Sequence, residues 1–178
     1  MKAIIGNPNV GKTTFLNKLR ENGYSTYETD AWVSKQYNNN ESNVFKGLVN
    51  EFGVNIISDN KISKNALKKL INEDFSNLKK IEMIVHPFIY QHLEQNKYDF
   101  VEIPILKWSP VNFVDLFDMV INLVDKPHQN EIYNVDNFSD TLIDTNKRGF
   151  RSLDTVDIYA KNVKNIEEFL KKYSILSR

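Results

Sequence analysis

The chain has 178 residues, with 23 basic and 23 acidic side chains and a formal net charge of zero, the size of one α/β domain with room for a small insertion and a real core. Hydrophobic residues make up 41% and charged residues 26%, which argues against wholesale disorder, and the charge balance argues against a dedicated nucleic-acid binder. Cysteine is absent, so disulfides, thiolate metal sites and a cysteine nucleophile are excluded. No apolar run approaches the roughly 20 residues that span a bilayer, and residues 1–6 are too short for the core of a signal peptide. The expectation is a cytoplasmic chain with neither a membrane nor a nucleic acid as partner.

Residues 2–6 read as a short buried strand ended by glycine. Residues 12–22 follow as a helix, with Phe15, Leu16 and Leu19 on one face and Gly23 as its stop. Residues 25–29 form a second strand, which leads into Asp30. From 31 to about 97 the pattern is helical. One stripe is Val44, Leu48, Val49 and Phe52, and a second is Ala66, Leu67, Leu70 and Ile71. A third, Leu78, Ile81, Ile84 and Val85, is broken at Pro87 and resumes with Ile89, Tyr90 and Leu93. Gly53 and residues 58–60 are the turn signals between these pieces. Strand character returns at 100–106 and 119–124. Residues 127–151 are polar and weakly patterned, 156–160 form a last strand, and 166–173 a closing helix. Strands alternating with helices predict an α/β fold with a parallel sheet, into which the helical block is inserted.

The strongest chemical signal is Gly6-Asn7-Pro8-Asn9-Val10-Gly11-Lys12-Thr13, a complete G-x-x-x-x-G-K-[ST]. Its glycines let the backbone wrap a phosphate with N–H groups pointing inward, Lys12 reaches the terminal phosphates, and Thr13 offers a hydroxyl to Mg²⁺. Thr14 continues the turn, and the following helix directs its positive end at the anion. The motif lies between a strand and a helix, as the chemistry requires, so a nucleoside triphosphate is the expected ligand. The loop wording resembles that of small GTPases of the translation-factor class over the first 20 or so residues. An Asp-x-x-Gly switch element is missing, however, and Asn146-Lys147-Arg148-Gly149 lacks the aspartate of a guanine reader.

A second resemblance runs along most of the chain. The stretch Gly23-Tyr24-Ser25-Thr26-Tyr27-Glu28-Thr29-Asp30 resembles the second strand of dephospho-CoA kinases, which ends in Asp-x-Asp. Phe52-Gly53-Val54-Asn55-Ile56-Ile57, then Asp59 and the run 62–67, is similar to that family's helical substrate domain. The sequence Ile84-Val85-His86-Pro87-Phe88-Ile89 resembles its His-Pro-x-Ile signature. Glu102-Ile103-Pro104-Ile105-Leu106 resembles its Asp-x-Pro-Leu-Leu strand end, and 156–162 its final strand. The shared order carries the likeness.

The resemblance implies a three-layer P-loop fold with about five parallel strands. Its nucleotide-binding core is 1–30, 98–125 and 152–178, its helical acceptor domain 31–97, and its lid 126–151. It implies transfer of the γ-phosphoryl of ATP, with Mg²⁺, to the 3′-hydroxyl of dephospho-CoA. Asp30 matches the family's base, although a carboxylate before Ala31-Trp32-Val33 equally suits a helix N-cap. Glu28 stands where the family has its first aspartate. His86 and Pro104 match positions that bind the acceptor or shape its pocket; read alone, a histidine here is more often a packed or capping residue than a ligand. Phe88, Tyr90 and Trp108 suit either a stacking role or the core. Two departures stand out: Trp108 replaces a glutamate, and 125–136 lacks the family's lid arginines. The chain has only four arginines, Arg20, Arg148, Arg151 and Arg178, so Arg148 and Arg151 are the candidates to reach the nucleotide phosphates, with Lys126 a further cation. Another nucleoside- or nucleotide-type P-loop kinase and a GTP-binding regulatory protein remain the alternatives.

Overall fold

In a computed structural model of the chain, the described residues are 1–103, 109–124, 132–134, 154–158, 163, 165–172 and 175. The chain divides into two compact units, one of Met1–Glu28, Asn96–Lys107 and Phe113–Arg178, the other of Thr29–Gln95 and Trp108–Asn112.

The first unit is built on a six-stranded sheet. Strands β1 (Lys2–Gly6), β2 (Thr26–Glu28), β5 (Phe100–Glu102), β6 (Met119–Leu123), β7 (Ile132–Asn134) and β8 (Asp154–Ile158) lie in the order β2-β5-β1-β6-β8-β7. Five of them are parallel, and β7 runs antiparallel to β8 along the edge. Parallel strands need crossover connections, and α1 (Lys12–Glu21) supplies the first, from β1 to β2 on the far side of β5. Phe15, Leu16 and Leu19 of α1 join Ile4, Phe100, Ile121 and Leu123 of the sheet in one core. Ile166, Phe169 and Leu170 of α6 (Ile166–Lys172) complete it, and the Phe15 and Phe169 rings meet edge to face at 5.6 Å. Ala3 and Ile5 are buried as well, so both faces of β1 are covered, as the unbroken apolar run of a central parallel strand requires.

The edge strand β7 departs from the reading of 127–151 as unpatterned. Three residues are too few to show a period, and the pairing of Ile132, Tyr133 and Asn134 with Val156, Thr155 and Asp154 is a long-range contact that no local pattern encodes.

The second unit contains α2 (Thr29–Tyr37), α3 (Asn43–Phe52), α4 (Lys64–Glu73), α5 (Ser76–Gln95) and a small hairpin of β3 (Ile57–Ser58) and β4 (Lys61–Ile62). Ser42 and Ser63 cap α3 and α4, each accepting from the amide three residues on. Asp59 and Asn60 both adopt left-handed backbone, the conformation a two-residue hairpin turn needs. Gly47 of α3 allows a close approach to α5, since a Cβ there would stand 2.9 Å from Ile84 Cγ2. The helix α5 is continuous through Pro87, whereas the sequence predicted a break. Proline deprives only the Met83 carbonyl of its donor, and Met83 is on the exposed side of the helix, where water can replace it. Residues 109–112, grouped with the sheet by sequence, belong to this helical unit; His86 Nδ1 on α5 lies 3.1 Å from Ser109 Oγ. Among the described residues no helix is long and apolar enough to cross a membrane.

Candidate active site

In the first unit β1 ends at Gly6, whose φ is +144°, and Gly6 pairs in register with Leu123. A side chain at Gly6 would bring Cβ within 2.5 Å of the Leu123 carbonyl oxygen and 3.0 Å of Val10 Cγ1. Only glycine can therefore turn the chain out of the sheet at this point. The loop closes with Val10 N donating to the Asn7 carbonyl at 3.3 Å, and Asn9 adopts left-handed backbone at φ +65°. Val10 is buried and anchors the loop to the core, while Asn7, Pro8 and Asn9 stay exposed. Gly11, itself left-handed, starts α1, and Phe15 N donates to its carbonyl.

This geometry leaves the amides of Gly11, Lys12, Thr13 and Thr14 without a backbone acceptor among the described residues, the orphan donors of a helix start. No side chain caps this end of α1 and its first turn contains no acid. Four N–H groups and the helix dipole thus converge on a site suited to an anion. The Lys12 ammonium arches over the loop and donates to the carbonyls of Gly6 at 2.9 Å and Asn7 at 3.1 Å. Thr13 is exposed at the start of the helix. Its hydroxyl is a hard oxygen donor of the kind Mg²⁺ accepts when phosphate oxygens supply other ligands.

Glu28, at the end of β2, is engaged in structure. Its Oε1 accepts from Arg20 Nη2 at 2.9 Å, and Arg20 also donates to Thr26 Oγ1 and Asn17 Oδ1. The guanidinium fork thereby ties the last turn of α1 to β2. Sequence reasoning passed over this role of Arg20, because its link to Glu28 spans the helix–strand turn, where no short-range spacing rule applies.

Asp30 belongs to the second unit, two residues beyond the end of β2. It lies in the first turn of α2 and its carboxylate is exposed. The helix begins one residue before it, at Thr29, so Asp30 is not the N-cap that its sequence context equally suited. Tyr37 lies seven residues on, on the same face. Burial, reinforced by the charge of Asp30, pushes the Tyr37 hydroxyl up to about 12, so it stays protonated at neutral pH. Between them, Ser34 Oγ donates to the Asp30 carbonyl at 2.8 Å and accepts from Lys64 Nζ at 2.7 Å. Neither Ser34 nor Lys64 stood out in the sequence, since 30 residues separate them.

His86 is 7% exposed, and desolvation holds its imidazole down to about 4. It is a neutral, packed side chain bonded to Ser109, a position from which it shapes the helical unit and presents little surface to a ligand. Trp32 packs on His92 with ring centroids 5.3 Å apart. Pro104, Trp108, Lys126, Arg148 and Arg151 lie outside the described residues.

A family model described as Dephospho-CoA kinase matches residues 2–148. Among curated proteins, a dephospho-CoA kinase of Mycoplasma genitalium is 25% identical over 128 residues, covering 68% of this chain and 64% of that protein. One of Protochlamydia amoebophila is 27% identical over 136 residues, covering 70% of this chain and 66% of its own. The chain therefore spans just under two thirds of the length of these relatives. Among solved structures, TT1252 from Thermus thermophilus superposes with a TM-score of 0.52 at 25% identity, covering 69% of this chain and 64% of that one. The dephospho-CoA kinase from Campylobacter jejuni gives 0.51 at 23% identity, with 68% and 66% covered, a likeness of fold.

Proposed function

Because the chain belongs to the dephospho-CoA kinase family, we propose that it transfers the γ-phosphoryl group of ATP to the 3′-hydroxyl of dephospho-CoA, yielding ADP and coenzyme A. The observation that carries this reading is the Gly6–Thr14 turn, where free amides and one ammonium converge at the head of α1.

In the proposed reaction the loop backbone of Asn7, Pro8, Asn9, Val10 and Gly11 wraps the β-phosphate, and the Lys12 to Thr14 amides complete the cradle. Lys12 moves its ammonium from the loop carbonyls to the β- and γ-phosphates. Thr13 would hold Mg²⁺ through its hydroxyl oxygen, and the bound ion would neutralise charge on the phosphates. Asp30 orients the acceptor hydroxyl and takes its proton as the O3′–Pγ bond forms and the bond from Pγ to the β–γ bridging oxygen breaks. Arg148 and Arg151 are the cations proposed to meet the phosphates from the lid. Pro104 and His86 shape the acceptor pocket, His86 by packing. The cytoplasm is the compartment that fits such a metabolic kinase.

A coupled ATP-consumption assay with dephospho-CoA as acceptor tests the reading, run beside a nucleoside panel and with GTP replacing ATP. Turnover specific to dephospho-CoA and ATP is expected. Preference for a nucleoside would make the protein another P-loop kinase, and acceptor-independent GTP hydrolysis would make it a switch. Asp30→Asn should lower kcat by about 100-fold or more while ATP titrations stay at wild-type affinity. Unchanged turnover would remove Asp30 from its role.

A further inference from the structure

The face of α2 that carries Asp30 also tethers a cation from α4. Ser34 lies one turn beyond Asp30, about 5.4 Å along the helix axis. Its single hydroxyl proton goes to the Asp30 carbonyl at 2.8 Å, and its oxygen accepts from Lys64 Nζ at 2.7 Å. Both bonds can form at once, since a hydroxyl donates once and accepts twice. Lys64 comes from the first residue of α4, is exposed, and takes part in no ion pair among the described residues. A cation in no ion pair among the described residues is thus tethered one helical turn from the proposed base.

We propose that Lys64, tethered by Ser34, binds the diphosphate of the acceptor nucleotide whose 3′-hydroxyl Asp30 orients. The proposal rests on the kinase reading and names the chemistry by which that site selects its acceptor. In such an acceptor the hydroxyl and the diphosphate hang from one furanose ring, so base and cation must stand about one sugar apart. Asp30 and the Ser34 that holds Lys64 lie one helical turn, about 5.4 Å, apart on α2, so both groups are presented from one helix face. The ammonium has three donors; Ser34 takes one, and two remain for phosphate oxygens. A plain nucleoside gains nothing from this cation, so Lys64 determines specificity and takes no part in the proton transfer.

The test compares wild type, Lys64→Met, Lys64→Arg and Ser34→Ala in steady-state assays with dephospho-CoA. Adenosine, which lacks the diphosphate, serves as a competitive inhibitor against that acceptor. Lys64→Met should raise KM for dephospho-CoA roughly tenfold, the loss of one charge-assisted hydrogen bond. It should leave kcat, the KM for ATP and the adenosine inhibition constant near wild type. Lys64→Arg should recover most of the loss, and Ser34→Ala should show a smaller increase in the same KM. An unchanged KM in Lys64→Met overturns the proposal, as does an equal weakening of dephospho-CoA and adenosine, which marks a merely structural role. Should Lys64→Met fail to fold by circular dichroism, Lys64→Gln against Lys64→Arg makes the same comparison. Wild-type protein with no turnover of dephospho-CoA would overturn the kinase reading itself, a result distinct from a normal wild type with an indifferent Lys64.

Discussion

Replacing His86 with asparagine should flatten the acid limb of the stability curve. In the folded chain the imidazole is 7% exposed and desolvation holds it down to about 4, whereas its ordinary value is 6.5. Above pH 6.5 the histidine is neutral in both folded and unfolded chains and makes no pH-dependent difference. Between pH 6.5 and about 4 the unfolded chain binds a proton that the folded chain refuses, so stability falls with falling pH. At about 1.4 kcal/mol per pH unit the window removes about 3 kcal/mol, a large share of the roughly 5–15 kcal/mol that holds a domain together. Below pH 4 both states carry the proton and the contribution stops growing. Asparagine places an amide where Nδ1 faces Ser109 but does not titrate. The variant should be less stable at pH 7.5 through lost packing, yet lose less on acidification. Urea unfolding of both proteins in steps of about one pH unit from neutral down to the folded-state value of His86, read as the difference between them, isolates the histidine from other acids. Parallel curves would refute the reasoning, because they would mean that His86 takes up its proton without unfolding.

Gly6→Ala should damage the phosphate turn. The methyl group would meet the Leu123 carbonyl oxygen at 2.5 Å in a residue held at φ +144°, and a strained backbone of this kind costs about 1–3 kcal/mol. Lower thermal stability together with weakened ATP binding in a fluorescence titration is the expected result; unchanged binding would mean that the loop does not need this turn. Arg20→Met removes the guanidinium that joins α1 to Glu28 and Thr26. Arg20 is 49% and Glu28 23% exposed, so the loss of stability should be at most about 1 kcal/mol. Activity should nonetheless fall, since β2 leads directly into Asp30; a double-mutant cycle with Glu28→Gln shows whether the two act as one unit.

The turn from Gly6 to Thr13 was legible because its geometry is local. Glycine at Gly6 and Gly11, lysine at Lys12 and a hydroxyl at Thr13 are demanded by backbone geometry within eight residues, and the flanking strand and helix announce themselves by period. The parallel core strands were legible for a similar reason: a strand buried on both faces is a short apolar run wherever it occurs. The helical block between the second strand and residue 97 was readable in its stripes, but the two-residue hairpin turn at Asp59 and Asn60 marked only a turn, not the strands beside it.

Contacts between distant residues were not legible. The antiparallel edge at Ile132–Asn134 exists because β8 offers it a ladder, and nothing within three residues can signal that. The helix runs through Pro87 because the carbonyl left without a donor lies on its exposed side, a fact of packing that periodicity cannot supply. The same holds at the candidate site. Composition could name Arg20 as one of four arginines and His86 as part of a motif, but only the folded chain sets Arg20 against Glu28, seals His86 against Ser109, and brings Lys64 to Ser34 beside Asp30. Local chemistry fixed the glycine-bracketed turn at the head of α1. Tertiary structure decided which side chains surround the proposed base, because hydrogen bonds across eight to thirty residues form only after the elements have packed.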